Sequence, residues 1–167
     1  MAPAGGPARL GRALITLWAL FGGVLLVAVI AMNVVSVIGA ALWKPFPGDF
    51  EMTQVGVAVA AFAFLPYCQL TRANVTADIF TMGASAHWVS RFRLAASLVA
   101  LLFAALLFWR MSAGMADQRD YGYTTAIMAF PVWLAFVPIL VSLALLALAS
   151  VMTLIEDARG ALPGDEA

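Results

Sequence analysis

The residues able to do chemistry in this chain are few and stand far apart. There is one histidine, His87, and one cysteine, Cys68, among 167 residues. A lone cysteine excludes an internal disulfide and a cysteine-only metal site. A two-haem membrane cytochrome needs paired axial ligands, commonly histidines, and a single His argues against one. No HExxH, no phosphate-cradling glycine loop and no convergent Ser/His/Asp set is present. The sequence therefore points to no enzyme, no metal and no cofactor. Lys+Arg and Asp+Glu number 9 each, giving a net charge of zero, and no basic run occurs, which speaks against nucleic acid as a partner.

The elements that must carry these residues are set by composition. The chain is 64% hydrophobic and 11% charged, against about 45–50% apolar and about 25% charged in soluble domains. It reads as an all-α integral membrane protein of four transmembrane helices, with the lipid bilayer as its main surroundings. About 20 apolar residues cross the hydrocarbon. Four stretches qualify: 13–43, 51–70, 89–111 and 126–155. Residues 1–12 read as a disordered N-terminal tail and 158–167 as a C-terminal tail. The run after Arg9 and Arg12 is too long for the 7–15-residue apolar region of a signal peptide, so it reads as a retained span.

A charge at mid-bilayer costs at least about 2.5–3.5 kcal/mol, and transport or proton relay generally keeps one there. Here every Asp, Glu, Lys and Arg falls near a span end or in a connection. The polar residues within the spans are Asn33, Ser36, Ser97, Ser142, Ser150 and Thr153. Asn33 could meet a substrate or a partner helix, or hydrogen-bond to a neighbouring helix of its own chain. Trp43, Trp88 and Trp109 sit near span ends, as in an aromatic belt; Trp18 and Trp133 lie deeper, where they could anchor packing. Gly56, Ala60, Ala61 and Ala63 give the second span small-residue faces suited to close helix contact. Pro66 near its end leaves a re-entrant segment as an alternative to a full crossing.

Basic residues set orientation. With the N-terminus in the cytoplasm, Arg9, Arg12, Arg72, Arg91, Arg93 and Arg159 lie inside, and Lys44, Arg110 and Arg119 outside. Both termini are thus expected to be cytoplasmic. Two connecting segments look more structured than simple links. In residues 71–88, Val75, Ile79, Phe80 and Met82 recur at helical spacing among Arg72, Asn74, Thr76 and Asp78, which predicts a short interfacial amphipathic helix between the second and third spans. In residues 120–139, Thr124 or Thr125 is placed to cap the fourth helix. Pro131 then falls in its first two turns and Pro138 deeper, each removing a backbone hydrogen bond.

These two segments carry a resemblance. Thr124–Thr125, then Pro131–Val132–Trp133, then Pro138, together with Arg72, Asn74 and Asp78 after the second span and Glu51 at its start, resemble the small membrane subunit (DctQ type) of tripartite ATP-independent periplasmic, or TRAP, transporters. Asn74 stands where that family often has His, and Gly122–Tyr123 replace an acidic residue or Gln. The resemblance covers about residues 14–157. It implies a small, non-catalytic subunit of a sodium-coupled, binding-protein-dependent transporter for an organic acid such as a dicarboxylate, in the bacterial inner membrane. It implies two protein partners: a large TRAP membrane subunit that holds substrate and sodium, and a periplasmic substrate-binding protein that this chain could help to dock. The residues it singles out as structural or partner-facing are Glu51, Arg72, Asn74, Asp78, Thr124, Pro131, Trp133 and Pro138, beside Asn33 from the span reading. The alternatives left open are an autonomous small membrane transporter and a membrane anchor of a redox complex.

Overall fold

The computed structural model describes residues 6–73 and 86–160. The described residues form four long α-helices: α1 (Gly6–Leu42), α2 (Asp49–Leu70), α3 (Ala86–Asp120) and α4 (Trp133–Gly160). Each is long and apolar enough to cross a membrane. The predicted interfacial helix, with Asn74 and Asp78, falls mostly outside the described residues.

The helix ends depart from the hydropathy boundaries in informative ways. α1 starts at Gly6, so residues 6–12, expected as a disordered tail, are helical. Pro7 suits a first turn, where its missing N–H is no loss, and Gly11 rests against Met152 of α4. α2 is one continuous helix with Pro66 inside it. α3 does not end near Met111 but runs to Asp120. It stops in a Schellman motif: Gly122 has φ 63°, Gly122 N–H donates to Arg119 O and Tyr123 N–H to Gln118 O. α4 begins at Trp133, so neither Thr124 nor Thr125 caps it and Pro131 precedes the helix. Pro138 alone lies within it. With 37 residues in α1 and 35 in α3, these helices reach about 50–55 Å at 1.5 Å per residue. They overshoot about 30 Å of hydrocarbon.

The helices pack as an open row in the order α1, α2, α4, α3, with a lesser contact of α1 on α4. α2 and α4 run parallel side by side, and each is flanked by an antiparallel neighbour. Without a hydrophobic force between helices in lipid, close backbone approach supplies the contact. A Cβ added to Gly56 would lie 2.4 Å from Val29 Cγ2, and one added to Gly22 would lie 2.8 Å from Ala63 Cβ. Gly56, Ala60 and Ala63 are buried as the small-residue face predicts, whereas Ala61 is exposed. All four helices contribute to a cluster of Val59, Ile139 and Leu143, ringed by Leu25, Phe62, Leu107 and Leu146.

Candidate functional site

The polar side chains collect at the two ends of the row. At the end bearing the short connections, residues 43–48 are held to α1 through Ser36. Its hydroxyl donates to Asp49 Oδ2 and accepts from Phe46 N–H at 3.2 Å. Asp49 and Glu51 occupy the first turn of α2, where negative charge suits the helix dipole. Glu51 also reaches across to the connection before α4, accepting from Ile127 N–H (2.9 Å, Oε1) and Met128 N–H (3.2 Å, Oε2). Beside it Gly48 has φ 76° and lies so close to Met128 that no Cβ would fit.

What Glu51 grips is a small hairpin. Thr124 and Pro131 form an antiparallel bridge, Thr125 N–H donates to Phe130 O, and Val132 N–H donates to Tyr123 O. The Thr125 hydroxyl accepts from Phe130 N–H. Pro131 donates no ladder bond, which suits an edge position, and its carbonyl accepts from Leu134 N–H at the start of α4. Thr124 and Pro131 are thus hairpin residues, not the cap and first-turn proline that spacing predicts. The reason is that α3 continues through Asp120, which leaves the intervening residues to make a tight return. Trp133 closes this end, with the Arg119 guanidinium 5.5 Å above its ring. Tyr121, Tyr123, Ile127 and Met128 are exposed on the hairpin, as are Trp43 and Phe50 nearby.

The opposite end carries a polar clasp centred on Asp157, the only buried carboxylate among the described residues. Asp157 pairs with Arg72 at 2.5 Å and accepts from the Ser97 hydroxyl at 2.8 Å. Gln69 donates to Thr153 one turn away. This joins α2, α3 and α4. Arg72 has φ 56° and takes the position after a helix end usually held by glycine: Arg72 N–H donates to Gln69 O and Ala73 N–H to Cys68 O. A left-handed non-glycine residue costs about 1–2 kcal/mol, here offset by the ion pair its side chain makes. Arg12 pairs with Glu156 and ties in α1.

Between the two ends the polar side chains serve packing. Trp18 Nε1–H donates to Ser142 Oγ at 2.8 Å, and Ser142 donates on to Pro138 O. The latter is a bond back to the carbonyl one turn earlier in the same helix. Asn33 Nδ2 donates to Thr53 Oγ1 at 2.7 Å and to Val29 O at 2.8 Å, the interhelical bond within the chain. Ser150 Oγ is fully buried without a hydrogen-bond partner.

Of the residues singled out from sequence, the structure joins Glu51 to the hairpin of Thr124 and Pro131, sets Trp133 beside it, and places Arg72 at the far end. Asn33 and Pro138 lie between. Sequence reading missed Asp157, Ser97 as its partner and Asp49. Asp157 looks like a tail residue until helical spacing from Thr153 puts both on one face of α4. Among the described residues no group of three or more His, Cys, Asp or Glu side chains converges to hold a metal ion.

No curated protein matches the chain, and no solved structure does. A family model does: Tripartite ATP-independent periplasmic transporters, DctQ component, over residues 26–160. That match takes in the clasp, the hairpin and the connection before α2. The chain belongs to the DctQ family, the small membrane subunit of TRAP transporters.

Proposed function

We propose that this chain is the non-catalytic subunit of a sodium-coupled, binding-protein-dependent transporter for an organic acid. In this reading it scaffolds the large membrane subunit, which holds substrate and sodium, and its hairpin end helps to dock the periplasmic binding protein. It resides in the bacterial inner membrane with both termini in the cytoplasm. The clasp then faces the cytoplasm and the hairpin the periplasm, consistent with the excess of Arg near the clasp end.

The observation that carries this reading is the chemistry of the row's middle. Its buried centre is Val59, Ile139 and Leu143. The polar groups around it are an indole, an amide and hydroxyls, most of them engaged in bonds between or along helices. An ion-coupled transporter that worked alone would keep a charged or multiply polar site at that depth. Carboxylates and arginines instead tie the ends of helices together, which is the work of a rigid frame.

Reconstitution tests it. Proteoliposomes holding both membrane subunits are expected to take up substrate only with the binding protein and a sodium gradient. Omission of this chain should abolish uptake. Solute movement by the purified chain alone would replace the scaffold with an autonomous transporter. Reporter fusions to the C-terminus check its cytoplasmic placement.

A further inference from the structure

α3 is the edge of the row and packs chiefly on α4. The two helices are level at both ends: the Ser97 hydroxyl meets Asp157, and the Arg119 guanidinium lies over Trp133. Between Ser97 and Arg119 the helix advances about 33 Å at 1.5 Å per residue, close to the roughly 30 Å of hydrocarbon. Arg110 falls inside this interval, about 14 Å from Arg119 and about 20 Å from Ser97. Gly114, one turn further on, lies against Phe136 inside α4, which fixes the register. Hydropathy puts Arg110 at a span end, but the extension of α3 to Asp120 draws it inward. A stem of three methylenes is too short to carry its head group back to the level of Arg119.

Arg110 is exposed, so it faces away from the buried centre of the row. Among the described residues it makes no ion pair or hydrogen bond. An ionisable group at such depth is costly against lipid and marks a site with a partner. Its neighbours show what shape of partner fits. Val99, Phe103, Leu106, Arg110, Ala113 and Asp117 are all exposed and follow one another at intervals of four and three residues. That is the a/d spacing of a seam between two helices, suited to a crossing at about 20°. Ala113, next to Arg110 on the stripe, leaves room for close approach.

We propose that this stripe of α3 is the seam for a transmembrane helix of the large TRAP subunit, and that a carboxylate on that helix pairs with Arg110 within the membrane. The proposal rests on the scaffold reading above and adds to it which face is used and which charge the partner brings. Val99, Phe103 and Leu106 alone would suit lipid tails equally well. The guanidinium decides between them, because its five N–H donors find no acceptor among hydrocarbon chains.

The test uses the complete transporter in cells. A photoreactive benzoylphenylalanine replaces Leu106 or Ala113, either side of Arg110 on the stripe, and adducts are identified by mass spectrometry. Adducts with the large subunit are expected from both positions. Phospholipid adducts alone, with the large subunit still co-purifying, would make the stripe a lipid face and overturn the proposal while the scaffold reading stands. If the large subunit neither crosslinks nor co-purifies, the scaffold reading falls, and the proposal with it. A second measurement isolates the charge. Recovery of the large subunit, per amount of this chain, is expected to drop about tenfold or more with Arg110→Leu and with Arg110→Glu, and to stay within about threefold with Arg110→Lys. Undiminished recovery with Arg110→Leu, or an equal loss with Arg110→Lys, would overturn the assigned ion pair.

Discussion

Substituting Gly56 by Ala tests whether α1 and α2 meet as closely in the membrane as the structure has them. The new methyl would stand 2.4 Å from Val29 Cγ2, where carbon atoms prefer about 3.5–4.0 Å. More than about 1 Å must be found. Val29 cannot readily turn aside, because a β-branched residue in a helix has one strongly preferred rotamer and this one is buried. Overpacking of this kind costs about 1–3 kcal/mol, partly offset by about 0.5–1 kcal/mol from replacing a helical glycine. A net loss of about 0.5–2 kcal/mol is expected. Val29→Ala alone opens a cavity and also destabilises. In the double variant, however, the methyl introduced by Gly56→Ala enters the space that Val29 vacates. The pair should therefore be less harmful than the sum by about 1–2 kcal/mol, within the range for residues in contact. Equilibrium unfolding by SDS titration in mixed micelles, followed by tryptophan fluorescence, measures all four corners of the cycle. Additivity within about 0.5 kcal/mol would refute the close approach of α1 and α2.

Neighbouring glycines should behave oppositely in the same assay: Gly22→Ala meets Ala63 Cβ at 2.8 Å and destabilises, whereas Gly23→Ala meets nothing within 4 Å and stabilises by about 0.5–1 kcal/mol. Asp157→Ala removes one ion pair and leaves Ser97 only its longer bond to Thr153 Oγ1, lowering stability by about 1–3 kcal/mol, with the figure moderated by solvent access to Arg72. Arg72→Gly should be about 1 kcal/mol more stable than Arg72→Ala, since both lose the pair and only alanine keeps the left-handed strain. Ser150→Ala deletes a buried hydroxyl without a partner and is expected to stabilise by about 1 kcal/mol. Glu51→Ala should speed hydrogen exchange at the Ile127 and Met128 amides, read by mass spectrometry, while the middle of α4 keeps its protection.

Four crossings were legible because hydropathy reports apolar exposed surface, and this open row leaves large apolar side chains exposed on every helix. The small-residue face of Gly56, Ala60 and Ala63 was legible as well, since spacing alone aligns it along α2. Where helices stop is decided by backbone capping, which hydropathy does not see. Arg119 in the last turn and Gly122 beyond it were the available stop signals for α3, and they place its end at Asp120 where polarity suggests Met111. The same extension explains why Thr124, Thr125 and Pro131 became a hairpin. The clasp was hidden for a different reason. Arg72 and Ser97 lie 85 and 60 residues before Asp157, and nothing local encodes which acid they meet. Glu51 was noticed as an interfacial acid, but most of its partners are backbone amides, which carry no signature of residue type.

The order α1, α2, α4, α3 has a consequence for how the chain is made. The first two helices can pair as soon as both leave the ribosome. The third cannot, because the helix that holds it is the last to be synthesised. Some 40 residues separate the ends of α3 and α4, roughly 2–8 s of translation at about 5–20 residues per second. For that interval α3 waits without its main contact, exposing Ser97 until Thr153 and Asp157 arrive. The insertion machinery must shelter it meanwhile. A nonsense mutation that removes only the last two turns of α4 would leave every crossing in place and still deprive α3 of its clasp. Such a product is expected to insert and then be cleared by membrane proteases.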